Sequence, residues 1–596
     1  MTQIKLKKGD KIYYKSSEKD DDWVVAVIMS RAGKKGGKYT NCWNIKNLRS
    51  GSEMAVNLDE VEWIKEDASL QDINLLMDQI KGEIMILNYD SKKSAEHLKA
   101  KESEVEKWKK FNVYEEVKRS DYPETELLSC RWVNETKETQ GEHEVQYKFR
   151  LVARGFQETE PPVSDSPTAQ KSITRMCLVL CNIFGWKLEG LDIRAAFLQS
   201  NDIDRVILMR PPKEFRKGED VVWKIKKPIY GLNDGARKWF ITMKKKLIGY
   251  GCEPLALDPS VYVYHVNKAL CGFCVLHVDD FLIGGNSLFH QNVVSKLVSE
   301  FVVSSRKNGQ FTYVGWDINQ TKNYIEIDQM TYQEGISTIE LSRARCQETE
   351  HECSQAEKRS YQQLLGKLQW ISSQSRPDIR YSVLECSLMA NKPKVKDVLR
   401  INKVVKKMNK NTFKIRFGIP FCNILDLKII AFSDASLSNL PDKTSSTRSF
   451  VIFISGKEKV APLSWCSKKL ERVAKTIIYA EGIALGRCLD EAVNLRQAML
   501  QILGVPECTE DGEYTYLPIT GVTDSRSLWD NINSTSQADD LKLRREVASI
   551  REQIELKEVA EVKWTPTHLQ LADCLTKAQA SSETLIRVLT SGDFSV

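Results

Sequence analysis

The stretch that most limits how this chain can fold is CVLHVDDFLIGG, residues 274–285. Two apolar, strand-forming runs meet there at adjacent carboxylates, Asp279 and Asp280. Neighbouring acids in an apolar setting repel and desolvate each other, so something cationic must neutralise them. The pattern predicts a β-hairpin with the acids at its tip. A third acid, Asp192 in GLDIRAAFLQS, follows another apolar strand pattern. Three converging carboxylates suit two Mg2+ ions about 4 Å apart, which clamp the attacking and leaving oxygens of an in-line phosphoryl transfer. A lone DD pair is usually a solvated turn, and the apolar flanks on both sides set this one apart.

Composition bounds the rest. At about 150 residues per domain, 596 residues suggest roughly four domains. Hydrophobic residues at 42% and charged residues at 28% are ordinary for globular chains and exclude disorder. No apolar run reaches the ~18 residues of a membrane span, and MTQIKLKKGDK has no apolar h-region, so neither membrane insertion nor secretion is expected. Lys+Arg minus Asp+Glu is 87 − 80 = +7, which permits a polyanionic partner. Fifteen scattered cysteines, an odd number, point to a reducing intracellular compartment rather than a disulfide framework. The CxxC of Cys271 and Cys274 lies in a strand pattern and reads as core thiols, not a metal site.

Along the chain, residues 1–66 alternate short strands with Gly-rich turns, which suggests a small barrel. Residues 67–112 carry helical spacing and many charges, a helix and linker. Residues 113–344 mix apolar strands and amphipathic helices, and 345–424 are mainly helical and basic. Residues 425–586 alternate strands with helices, a mixed α/β domain, and 587–596 read as a tail. The expected class is multidomain α+β.

The motifs LDIRAAFL, KPIYGLNDGARKWF and HVDDFLIGG, in that order, resemble the reverse transcriptase of copia-type LTR retrotransposons. KWKKFNVYEEV, RWVNETKE, YKFRLVARGFQE, FTYVGWDI and YQQLLGKLQWISSQSRPDIRYSV extend the resemblance. It implies a right-hand-like polymerase with fingers, palm and thumb. Asp192, Asp279 and Asp280 would be its metal-binding triad, with two Mg2+ or Mn2+ ions. Phe197, five residues after Asp192, would be the aromatic gate that excludes a ribose 2′-OH and favours dNTPs; alone it would read as core. Lys148 and Arg150 would hold the triphosphate, or form a solvated strand face. Two positions depart from the family: His277 stands where Tyr is usual, and Asn233-Asp234-Gly235-Ala236-Arg237 where Lys-Gln-Ala-Pro-Arg is common. Asp234 would put an acid at the nucleotide unless it points away.

A second set of acids follows Leu425: Asp434 after strand IIAFSD, Glu481 on a long helix, Asp524 after TGVTD, and Asp573 in LADCLTK. Their order, with SDAS, SWCSKKLERVAKTIIYAE and TDSRSLW, resembles the ribonuclease H domain of the same family. It implies two further Mg2+ ions and cleavage of the RNA strand of an RNA–DNA hybrid, which its 2′-OH distinguishes. His568, five residues before Asp573, is expected at the surface.

Between the two sets, Lys392, Lys394, Lys396, Arg400, Lys403, Lys406, Lys407 and Lys410 cluster. They read as a solvated helix face or as a phosphate track, with Lys403, Lys406, Lys407 and Lys410 as its core. The first 66 residues resemble the SH3-like barrel of retroviral-type integrases. The expectation is the 3′ part of a Pol polyprotein, intracellular, in cytoplasmic virus-like particles with nuclear entry. Its partners would be an RNA template, a DNA primer, RNA–DNA hybrid and dNTPs, with no membrane. The alternative is a non-catalytic or domesticated nucleic-acid-binding remnant.

Overall fold

The computed structural model describes residues 96–138, 145–419, 422–506, 516–535 and 538–594, together with five strands before residue 66. It divides into two compact units, 1–106 with 133–150, and 107–132 with 151–596. The first unit holds an antiparallel sheet in the order Glu53–Asn57, Cys42–Asn47, Trp23–Arg31, Lys11–Lys15, Trp63–Lys65. The fifth strand returns to pair with Lys11–Lys15. Within the expected helix and linker of residues 67–112, a helix spans 96–110, whereas 67–95 lie outside the described residues.

The second unit is built around a six-stranded sheet in the order Glu253–Pro254, Val261–Val266, Ala269–His277, Asp280–Gly285, Leu188–Ile193, Val303–Asn308. Over residues 261–263, 273–276 and 281–283 its strands alternate between two cores, as the two-residue period of a strand requires, and a register shift at Tyr264/His265 breaks the alternation at Cys271. Val261, Val263, Phe273, Val275 and Leu282 face the helix Lys171–Phe184. Tyr262, Cys274, Leu276, Phe281 and Ile283 face the helix Gly235–Gly249. Gly284 is needed on its face, since a Cβ there would lie 2.3 Å from Cys181 Sγ. Cys271 and Cys274 are buried free thiols, as the apolar strand pattern predicts.

After this sheet, helices Gln355–Gln374, Arg380–Leu388 and Val395–Lys410 pack on a core of their own. The strand Ile415–Phe417 then joins a four-stranded sheet beside Ile325–Asp328. The C-terminal part is a five-stranded sheet in the order Lys459–Lys469, Thr447–Gly456, Lys428–Ser436, Ile519–Thr523, Glu561–Trp564. The last two strands run parallel to Lys428–Ser436. The 27-residue helix Ile477–Leu503 covers this sheet. Thr476 caps its start by accepting from the Tyr479 N–H, and Gly504 ends it in the left-handed conformation.

Two expectations are corrected. Residues 587–596 are not a tail: the helix Glu583–Ser591 buries Val588 and Leu589 in the core, because its apolar residues recur at helical spacing. The regions 113–344 and 425–586 are not separate cores either, since one continuous hydrophobic cluster runs from Ile173 and Phe273 to Phe432 and Leu585. Among the described residues, no helix is long and apolar enough to cross a membrane.

Candidate active sites

The hairpin is formed as its sequence predicts. Strands Ala269–His277 and Asp280–Gly285 pair antiparallel, and Val278 turns the chain at φ 57°. A β-branched residue in that region is strained, so something must hold the turn. Trp239, fully buried on the helix Gly235–Gly249, does so: its indole N–H donates to the Val278 carbonyl at 2.6 Å. Asp192 lies directly across from Asp280 in the neighbouring strand, and Asp279 sits on the turn between His277 and Asp280. Burial, followed by the charges of Asp279 and Asp192, pushes the Asp280 carboxyl up to about 6. The Ser304 hydroxyl donates to Asp192 Oδ2. His277, also half-buried, is pulled below the usual imidazole range by burial, against the opposing charge of Asp279. A cation at this tip would relieve the repulsion among the three acids.

Phe197 lies on a short turn, Ala196–Gln199, that follows the strand of Asp192. It is half-buried, packs on the core of this sheet face and sits 5.0 Å from the Tyr230 ring. Asp234 is 1% exposed. Arg205 holds it with both nitrogens of its fork and bridges on to Glu158 at 2.8 Å. The expectation of an acid lying along a triphosphate is therefore corrected: the carboxylate points inward because Arg205, at a position no motif marked, compensates it. Lys148 and Arg150 belong to the first unit, on the strand Val145–Ala153, where Arg150 pairs with Glu135 at 2.9 Å.

The second acid set converges. Asp434 is near the end of strand Lys428–Ser436, Glu481 one turn into the helix Ile477–Leu503, and Asp524 just past strand Ile519–Thr523. Because the two strands are parallel neighbours, both acids emerge at the same sheet edge. Ligand oxygens of Asp434, Glu481 and Asp524 lie within 4.8 Å of one another, and no other such group of three His, Cys, Asp or Glu donors exists among the described residues. Asp434 and Glu481 are buried, at 1% and 5% exposure. Burial first, then neighbouring acids, raises Asp434 to about 7, while Lys577 and the Thr576 hydroxyl oppose the shift. Glu481 is raised well above the carboxylate range by burial and by Asp434 and Asp524. Glu481 Oε2 is buried with no hydrogen-bond partner. Asp573 stands outside the converging trio: Lys577 Nζ binds it and lies 3.8 Å from Asp434 Oδ2. Lys577 was not singled out in the sequence, although its place four residues after Asp573 put it one helical turn away. Ser525 caps the helix Arg526–Asn533, and His568 is exposed as expected.

The basic residues sort by neighbour. Lys394 and Lys396 are engaged by Glu350 at 3.0 and 2.8 Å. Lys403, Lys406 and Lys410 are exposed and Lys407 half-buried on one face of the helix Val395–Lys410, and among the described residues none of the four forms an ion pair. Of these lysines, Lys407 is near enough to Cys574, the residue after Asp573, to act on its charge. Burial pushes the Cys574 thiol up to about 12, Asp378 and Asp573 add to the shift, and Lys407 opposes it.

Residues 111–350 match the family model described as reverse transcriptase (RNA-dependent DNA polymerase). Over 374 residues the chain is 25% identical to a retrovirus-related Pol polyprotein from transposon RE1 of Arabidopsis thaliana, covering 60% of this chain and 25% of that one. It is 25% identical over 438 residues to that of transposon TNT 1-94 of Nicotiana tabacum, covering 68% and 32%. The chain thus spans about a quarter to a third of the length of these relatives. Among solved structures, a foamy viral protease-reverse transcriptase in complex with double-stranded DNA aligns over 73% of this chain and 66% of its own. Its TM-score is 0.42 at 12% identity. RNase H1 from Halobacterium salinarum aligns over 26% of this chain and 97% of its own, at TM-score 0.18 and 16% identity. The chain carries a reverse transcriptase domain and has Pol polyproteins of copia-type transposons as homologues.

Proposed function

We propose that this chain copies an RNA template into DNA from a primer 3′-OH with dNTPs, and cleaves the RNA strand of the resulting hybrid. The observation that carries the reading is the placement of Asp192 opposite Asp280 at a hairpin tip, inside the segment that matches the reverse transcriptase family. The nuclease half rests on the convergence of Asp434, Glu481 and Asp524.

The second acid set fits divalent cations, since Asp434, Glu481 and Asp524 converge, whereas the carboxylates of Asp192, Asp279 and Asp280 do not come as close together. Glu481 Oε2 has no hydrogen-bond partner, and burial with neighbouring acids raises the Asp434 and Asp280 carboxyls, so a nearby cation would favour the ionised form of each. Asp192, Asp279 and Asp280 would hold one pair of ions, and Asp434, Glu481, Asp524 and Asp573 the other. Bound Mg2+ supplies Lewis acidity toward the attacking and leaving oxygens. The chain's own residues do the rest. Trp239 fixes the turn of the hairpin acids, Ser304 orients Asp192, and Phe197 borders the space where a sugar would lie. Thr576 and Lys577 orient Asp434 and Asp573 in the nuclease set. Lys148 and Arg150 would meet the triphosphate, and Lys403, Lys406, Lys407 and Lys410 the phosphates of the duplex. The first 66 residues would be an integrase-type SH3-like barrel, and the protein would act inside the cell.

The test is primer extension on poly(rA)·oligo(dT) with Mg2+ or Mn2+, run beside cleavage of a labelled RNA–DNA hybrid. Extension and cleavage by the purified protein support the reading. Binding without either reaction would leave a nucleic-acid-binding remnant.

A further inference from the structure

Arg175 is a charge buried without a counter-charge. It lies on the helix Lys171–Phe184 beneath the six-stranded sheet, at 2% exposure. Among the described residues it pairs with no carboxylate. Its Nη1 donates to the Leu463 carbonyl at 3.1 Å, on a strand of the C-terminal sheet. Its Nη2 donates to the carbonyls of Ser373 and Gln374, both at 3.0 Å, at the end of the helix Gln355–Gln374. The guanidinium centre stacks 3.6 Å from the centroid of the Trp465 ring, and the Trp465 indole N–H donates to the Ser372 carbonyl at 2.9 Å. One side chain therefore joins three segments that belong to the polymerase-like sheet, the helical region and the nuclease-like sheet.

An isolated buried charge costs several kcal/mol unless fixed dipoles replace the lost water. A planar fork with several donors and a face that stacks on an aromatic ring is the side chain that can meet that requirement; a lysine cannot do both. Leu, Met or Ile would fill this place without the desolvation cost, so the gain must lie in geometry. Carbonyl acceptors at fixed angles and a stacked ring specify one relative orientation, whereas apolar contact alone allows sliding. Further bonds cross the same seam. His265 Nε2 donates to the Ile502 carbonyl at 2.9 Å, and the Ala256 N–H to Gln501 Oε1 at 2.9 Å.

We propose that Arg175 is the positioning residue that locks the polymerase-like and nuclease-like sites into one rigid frame, so that the RNA strand is cut at one fixed setback from the primer terminus. The setback half rests on the function proposed above, and the rigid-frame half does not.

The test uses the full chain and the variants Arg175→Met, Arg175→Lys and Trp465→Phe. Calorimetry reads the frame without any activity, and mapping of cut sites on a hybrid with a fixed primer end reads the setback. The expected result is one unfolding transition in the unaltered protein and two in Arg175→Met. Extension and cleavage should both persist in that variant, with cut sites spread over adjacent positions. Arg175→Lys and Trp465→Phe, milder changes that keep a charge or a ring, should broaden the cut sites in the same sense if Arg175→Met does not fold. A single transition in every folded variant, with unchanged cut positions, would reduce Arg175 to packing and overturn the proposal. An unaltered protein with neither activity would defeat the functional reading, while the calorimetric result would still decide the rigid frame.

Discussion

Asp279→Asn is expected to abolish primer extension and leave hybrid cleavage largely intact, because it removes a charge from the hairpin acids alone. Asp524→Asn or Glu481→Gln should do the reverse. Parallel extension and cleavage assays on each variant check the pair, and loss of both activities in one folded variant would contradict independent ligand sets. Phe197→Ala should raise ribonucleotide incorporation relative to dNTPs, since the half-buried ring would no longer crowd a 2′-OH. An unchanged ratio in a variant that still polymerises would make Phe197 a packing residue. Asp234 has a different outcome from the one its sequence position suggests. Breaking a buried ion pair costs 3–5 kcal/mol, but Arg205 is 27% exposed and keeps Glu158, so Asp234→Gln should cost about 2 kcal/mol. Chemical denaturation reads that loss, and nucleotide KM should not improve.

At the scale of the element, the helix Gln355–Gln374 depends on its first turn. The Ser354 hydroxyl accepts from the Glu357 N–H while Glu357 accepts from the Ser354 N–H, and Arg345 grips Glu357 with both fork nitrogens at 2.9–3.0 Å. Arg345 and these caps hold the Glu357 carboxyl down at about 2, from an ordinary 4.5. The folded value is below the unfolded one, so the contribution is complete above pH 4.5 and fades as pH falls from 4.5 to about 2. Ser354→Ala should cost about 1 kcal/mol at neutral pH. Glu357→Gln should flatten the stability loss in that acid window, as read by denaturation at pH 3 and pH 7. Equal loss at both values would place the acid sensitivity elsewhere.

At the scale of the molecule, the helix Val395–Lys410 presents four cations that form no ion pair among the described residues, with Lys407 near the loop of Asp573. If they contact phosphates, the quadruple change of Lys403, Lys406, Lys407 and Lys410 to Gln should weaken hybrid binding regardless of base sequence. It should also reduce the slope of log K against log salt by up to about 0.9 per lysine that contacts a duplex phosphate. Fluorescence anisotropy over a salt series measures both. An unchanged slope would return these lysines to a solvated face.

The sequence by itself determined the local pieces, because period and end signals are properties of neighbouring residues. CVLHVDDFLIGG could form little else than a hairpin with Asp279 at its turn. The 27-residue helix Ile477–Leu503 was bounded by a capping Thr476 and by Gly504. It also held the separate acids Asp434, Glu481 and Asp524, whose meeting the family resemblance implied but the local pattern did not. That depended on the parallel pairing of strands 90 residues apart, which no local signal encodes. Only the tertiary structure supplied Arg205 to Asp234, Trp239 to the strained Val278 and Lys577 to both Asp573 and Asp434. Each partner is a single residue that becomes informative only by proximity. The tertiary structure also decided that one face of the six-stranded sheet and the C-terminal sheet share a continuous hydrophobic cluster. Apolar faces read from sequence show that an element is buried, but not against which neighbour, and here the helix of Arg175 buries itself against both sheets at once.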